Sequence, residues 1–191
     1  MARPSLKEVR TLEILDAFVT CVTRYGLDGS TLERISEEAG VKRPILRHYL
    51  GNREEMVALL IEHVVERFNA QTEALFANLP SERRWPALMD QLFHEEQRSP
   101  VGAAVFQALV AAADRYPAIR DGLLDCITRF EAALALEAAK AFPQAANVRC
   151  REVAAGLTAI YFNMDAIAPL QPPKTWLRTQ RRAAMALLEG L

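Results

Sequence analysis

With 191 residues, half of them hydrophobic, the chain has ample material for a packed core, one large domain or two small ones, and this excludes a disordered polypeptide. The formal net charge of -1 excludes a polycation, so any nucleic-acid binding must come from a local patch. Cys21, Cys126 and Cys150 are odd in number and widely spaced in apolar patterns, which reads as buried thiols and not as a redox pair or metal site; no signal-like run or stretch of ~20 apolar residues is apparent, so a cytoplasmic chain with no membrane partner is expected.

Met1 to Pro4 reads as a short arm. Ser5 and Glu8 form a capping-box pattern that opens a helix to about Tyr25, with Leu12, Leu15, Val19 and Val22, and Phe18 beside them, as its core face. Arg3, Lys7 and Arg10 cluster at its start, either as solvated charges or as an arm for a DNA backbone or minor groove.

From Thr31 to Met56 several features converge. Ser30 or Thr31 can cap a helix to about Ala39, with Ser30 and Glu33 in capping-box register. Gly40 suits the left-handed end of that helix, and Val41 can plug between it and the next. A second helix runs from Lys42 to about Leu50 with Pro44 in its first turn, where a missing N–H costs nothing. Ile35, Ala39, Val41, Leu46 and Leu50 would pack inward, leaving Lys42, Arg43, Pro44, Arg47 and His48 outside. Between Lys42 and Arg53 there are four basic residues and no acid, on a helix about as wide as the DNA major groove. A charge run alone is usually only a solvated face. A glycine turn, an apolar plug, a basic first turn and a further capped start at Asn52 with Glu55 together point to helix-turn-helix geometry, with the second helix as reader. Arg43, Pro44, Arg47 and His48 are then expected to face base edges with Lys42 at the rim, and Thr31, Tyr49 and Arg53 to hold phosphates of double-stranded DNA.

On these residues, T-L-x-x-I-x-x-x-A-G-V, P-x-L-x-x-Y-L and N-R-E-E-M, the chain resembles the tetracycline-repressor-like (TetR) family of transcriptional regulators. Two positions depart from the family pattern. Arg47 stands where an aromatic is usual, and Arg53 where Lys is usual. The resemblance implies a ligand-responsive repressor that binds a palindromic operator as a homodimer and is released by a small organic inducer.

Beyond the head, Asn52 to about Leu79 lacks Pro and Gly and reads as one long helix of ~40 Å. Helices follow from about Ser81 to Gln97, Val101 to Ala113 and Pro117 to Ala141, with breaks at Pro80-Ser81, Ser99-Pro100, Tyr116-Pro117 and Phe142-Pro143. Large side chains at Trp85, Met89, Phe93, Phe106, Leu109 and Phe130 are core residues by default; the resemblance implies an inducer pocket here, which Trp85, Met89, Phe93, Phe106 and Phe130 would line, with His63, His94, Gln107 and Arg129 as polar handles. The last two helices, about Ala145 to Ala168 and Lys174 to Glu189, are apolar on more than one side. Leu157, Ile160, Met164, Trp176, Ala184 and Leu187 are the expected dimer interface, against the alternative of a larger monomeric core. The expected class is all-α with about nine helices: a DNA-binding head over residues 1–51 and a ligand-binding and dimerisation bundle over 52–191.

Catalytic signals are thin. His94-Glu95-Glu96-Gln97 starts like a zinc-protease helix, but Arg98 occupies the second His position, and neither Gly-x-Ser-x-Gly nor a phosphate-binding loop is present. No cofactor or metal is expected. An enzyme working on a bound cofactor, or a helical adaptor for another protein, is the alternative to a DNA-binding regulator.

Overall fold

The computed structural model describes residues 5–93, 100–189 and 191; of Pro100 it describes the backbone alone. His94, the zinc-protease-like tetrapeptide, the Ser99 break and Arg3 lie outside the described residues. The described residues form nine α-helices and one 3-10 turn: α1 Leu6–Gly29, α2 Leu32–Glu38, α3 Arg43–Leu50, α4 Arg53–Ala77, α5 Arg84–Phe93, α6 Pro100–Ala112, α7 Pro117–Ala141, α8 Asn147–Ile167, the turn Ala168–Leu170, and α9 Lys174–Ala186. The all-α class holds, with no strand among the described residues. They pack as two compact units, one from Met1–Phe68 with Ala104–Leu123, the other from Asn69–Ala103 with Leu124–Leu191. The divisions fall inside α4, α6 and α7.

In the first unit the Ser5–Glu8 box is realised: Glu8 N–H donates to Ser5 Oγ at 3.2 Å and Ser5 N–H to the Glu8 carboxylate at 2.7 Å. α1 reaches Gly29 only across a break: Gly26 (φ 69°, ψ 172°) leaves the helical conformation one residue after the expected end at Tyr25, and the chain kinks there before a final turn. Ile14, Leu15, Phe18, Val19 and Val22 are buried, but Leu12 is 46% exposed and does not share the core face. Ile35, Leu46, Leu50, Met56 and Leu60 have at most 1% of their surface left, and each contributes roughly 1.5–3 kcal/mol by burial. α1, α2 and α3 pack on one another. Asp16 on α1 is bonded by His63 Nε2 at 3.0 Å and Arg67 at 2.9 Å on α4, which makes His63 a buried structural residue and not a ligand handle. α7 passes close over α4 at Gly122, where a Cβ would stand 3.0 Å from Val65 Cγ2, and Phe68 meets Phe106 edge-on at 5.4 Å.

The second unit has one core, including Trp85, Leu88, Met89, Leu92 and Phe93 of α5, Phe130, Leu134 and Ala138 of α7, Cys150, Val153, Ala154, Leu157 and Met164 of α8, and Ala184 of α9. Phe130 sits among Phe76, Tyr161 and Phe162 with ring centres 5.7 to 6.4 Å away. α5 begins three residues later than the expected Ser81, after Arg83 in a left-handed conformation (φ 54°). Arg84 then forks onto both oxygens of the buried Glu137 at 3.0 and 3.1 Å and donates to the Leu79 and Phe76 carbonyls at 3.2 and 3.0 Å. α8 and α9 approach closely at Gly156, where a Cβ would lie 2.8 Å from Leu187 Cδ1. Arg149 donates to the Leu187 carbonyl at 3.2 Å, which satisfies one of the free carbonyls at the end of α9.

The expectation that no stretch reaches membrane-spanning length is corrected here. Asn147–Leu170 is long and apolar enough by length and composition, at mean hydropathy 1.3, and 28% of its apolar 18-residue window is buried. Arg149, Arg151, Glu152 and Asp165 lie within it, and five of its apolar residues are alanines. All three cysteines are buried and none is in a disulfide, as expected, and burial pushes the Cys21 and Cys126 thiols up.

Candidate nucleic-acid interface

The turn between α2 and α3 is built as the residue types dictate. Gly40 takes φ 62°; its N–H reaches Glu37 O at 3.1 Å, and Val41 N–H reaches Ser36 O at 2.9 Å, closing the α2 end with paired bonds. α2 is capped by Thr31, whose hydroxyl accepts from Arg34 N–H at 3.3 Å. Ser30 does not form the capping box with Glu33: it is fully buried and gives its hydroxyl to Gly26 O at 2.7 Å, since it is needed to close the kinked end of α1. Ala39 and Val41 are half-buried.

α3 starts at Arg43 with Lys42 as its N-cap residue and Pro44 in the first turn, and Leu46 and Leu50 anchor it to the core. Its opposite side presents Lys42, Arg43, Pro44, Arg47 and His48, all exposed, with Tyr49 half-buried and edge-on to His48 at 5.3 Å. Arg43 pairs across the turn with Glu33 at 2.5 Å; both are largely exposed, so the pair is weak and yields easily to a stronger anion. Ile45 was missed by the sequence reading. It is 43% exposed on the same helix, between the cations, and the signal that could have found it is its place beside Pro44 and one turn before His48 and Tyr49. An apolar side chain among cations on a reading helix can touch a thymine methyl.

The start of α4 is capped as expected: Asn52 Oδ1 accepts from Glu54 and Glu55 N–H at 2.9 and 3.0 Å, and Glu55 takes the Asn52 N–H at 2.7 Å. Arg53 is placed differently from a free phosphate-binding cation. Its Nη1 donates to Ser30 O at 2.8 Å and its Nη2 to Leu27 O at 2.5 Å.

The other candidate residues separate. Trp85, Met89, Phe93 and Phe130 come together in the second unit's core, whereas Phe106 belongs to the first unit, against Phe68. A cleft of about 380 Å³ in the second unit is lined by Ser81, Arg83, Arg84, Trp85, Pro86, Glu137, Lys140, Ala141 and Phe142, sharing only Trp85 with the expected set. Arg129 is exposed and paired with Asp125 at 2.6 Å, and Gln107 is half-buried in the first unit. Of the expected interface residues, Leu157, Met164 and Ala184 have at most 1% of their surface exposed in the single chain, because they pack into the second unit's own core and have no surface to offer a partner. Ile160, Trp176 and Leu187 keep part of theirs. The outer side of α8 is Val148, Glu152, Ala155, Ala159, Asn163 and Ala166, continuing to Leu170.

No family model matches the chain. The HTH-type transcriptional regulator BetI of Burkholderia thailandensis is 27% identical over 163 residues, covering 84% of this chain and 82% of that one; its counterpart in Burkholderia pseudomallei K96243 is 26% identical over the same span. Among solved structures, a TetR-family transcriptional regulator from Cytophaga hutchinsonii superposes with TM-score 0.80 at 14% identity, covering 100% of this chain and 98% of that one. A TetR transcription regulator from Haloarcula marismortui does so with TM-score 0.76 at 19% identity, covering 96% and 98%. The fold is that of TetR-family regulators, BetI-type regulators are homologues, and these relatives are regulators of transcription.

Proposed function

We propose that this chain, a homologue of BetI-type regulators with the fold of the TetR family, is a ligand-responsive repressor that binds a palindromic operator as a homodimer and is released by a small organic molecule. The observation that carries the reading is α3: Lys42, Arg43, Pro44, Ile45, Arg47 and His48 share one exposed side of a helix whose other side is anchored by Leu46 and Leu50. In a chain of near-zero net charge, such a local patch is what a sequence-reading helix requires. Arg43, Pro44, Arg47 and His48 read base edges, Lys42 lies at the groove rim, and Thr31 and Tyr49 hold phosphates.

Residues 1–51 serve DNA and 52–191 serve ligand and partner. The outer side of α8, largely exposed and with Glu152 the charged residue among Val148, Ala155, Ala159, Asn163 and Ala166, supports pairing with a second copy, which sets two reading helices about 34 Å apart on one face of the duplex. The inducer lodges beside Trp85, Met89, Phe93 and Phe130, and favours a state in which the heads are wrongly spaced. DNA then weakens ligand by the factor with which ligand weakens DNA, about 5–150-fold.

Selection of bound duplexes from a random pool tests the reading. The expected result is an inverted repeat with half-site centres about one helical turn apart; a protein that enriches no sequence, or turns over a substrate, overturns it.

A further inference from the structure

The turn between α1 and α2 is gripped by the first residue of α4, and we infer that Arg53 positions the reading head through this turn instead of binding the DNA backbone. The inference rests on the DNA-binding function proposed above. α1 is kinked at Gly26, and its last turn ends at Ser30, immediately before Thr31, the residue that caps α2. The carbonyls at such a helix end lack the regular helical partners and carry its negative dipole end, and here Leu27 O has only a 3.3 Å bond from the Ser30 N–H. Arg53 supplies the partners: one terminal nitrogen for Ser30 O at 2.8 Å and the other for Leu27 O at 2.5 Å, with the guanidinium carbon 5.4 Å from the centre of the buried Phe18 ring. These are charge-assisted bonds, roughly twice as strong as neutral ones, and the aromatic face adds a cation–π contact.

The consequence is geometric. A displacement of the first turn of α4 shifts both bonds, and with them the residue at which α2 starts; α2 packs on α3, so the reading helix follows. A lysine does not replace this fork, because a single ammonium has neither the planar pair of donors nor a flat face for Phe18. Arginine at position 53 is therefore more than retained charge.

The test compares the wild-type chain with Arg53→Ala, Arg53→Lys and Asp28→Asn, the last removing only an exposed ion pair to Arg115 in the same unit. Operator affinity is measured against salt concentration at a temperature where each variant is folded. Both Arg53 variants are expected to lose about tenfold or more in affinity at every salt concentration with the salt slope unchanged, and Asp28→Asn less than about threefold. Without DNA, hydrogen exchange at the Ser30 and Thr31 amides, which bond to Leu27 O and Gly29 O, is expected to quicken at least about tenfold in both Arg53 variants. A slope that falls by about one ion in Arg53→Ala and is restored in Arg53→Lys assigns a phosphate contact and overturns the inference. Variants that melt earlier yet bind the operator as the wild type does also overturn it, since a merely structural arginine behaves so. If Arg53→Ala does not fold, Arg53→Lys decides. If the wild type binds no duplex, the functional reading fails, and the exchange measurement alone decides whether the grip exists.

Discussion

Two residues on α8, two positions apart, separate the interior of the second unit from its outer face. Leu157 has no exposed surface, while Ala159, roughly 200° further round the helix, is exposed. Ala159→Glu places a charge where the single chain already meets water, so the fold is expected to change by no more than about 0.5 kcal/mol. In a two-fold dimer built on this face the same position comes from both copies, so one substitution introduces two like charges into one desolvated patch. At a cost of about 3 kcal/mol, within the several kcal/mol that like-charge juxtaposition carries, the dimer Kd rises by roughly 100-fold. Leu157→Asp acts on the fold itself. It removes a fully buried side chain, worth about 2–5 kcal/mol when truncated, and leaves an unpaired charge inside. Sedimentation velocity at micromolar protein, a thermal melt and operator binding on the same samples distinguish the two. Ala159→Glu is expected to be a folded monomer with poor operator affinity, and Leu157→Asp to be unfolded or to melt far earlier. A fully dimeric Ala159→Glu with wild-type operator affinity refutes the pairing of copies through this face.

Arg43→Ala is expected to lose ~1–3 kcal/mol of discrimination at one base pair of the selected site, with folding nearly unchanged because its pair with Glu33 is exposed; repeating the duplex selection with the variant checks this. Replacing a thymine by uracil at the position facing Ile45 is expected to weaken wild-type binding and leave Ile45→Ala unaffected, which filter binding on the two duplexes measures. Glu137 is expected to make stability acid-sensitive. The Arg84 fork holds its carboxyl below the ordinary value, against the opposing effect of burial, and Lys140 assists. Its stabilising contribution is therefore present above the ordinary value of 4.5 and is lost as pH falls through the lower folded value, so melts of wild type and Glu137→Gln should differ most near neutral pH and converge as pH falls through that lower value.

What the sequence determined by itself is local. Capping at Ser5 and at Asn52, the left-handed Gly40, the proline-opened α3 and the unbroken runs of α4 and α7 follow from side chains that bond or pack within a few residues of themselves, and the exposed basic side of α3 follows from the helical period. The resemblance to TetR regulators rests on that same short stretch, and the likeness of fold to a TetR-family structure extends well beyond it.

Other features needed tertiary structure, because they depend on which distant segments meet. The period shows that Leu157, Ile160 and Met164 share a stripe, but not whether that stripe faces its own core or a second copy; α5, α7 and α9 fill it with their own side chains. Phe106 looked like one of five pocket-lining residues until α6 was seen to place it against Phe68, and His63 looked like a ligand handle until Asp16, 47 residues away, claimed its ring. Arg53 shows the difference most directly. Sequence fixes its charge, and a cation near a reading helix suggests a phosphate; only the fold brings two carbonyls from the end of α1 within 2.8 Å of its guanidinium, and an unsatisfied helix end nearby competes for those donors whether or not DNA is present.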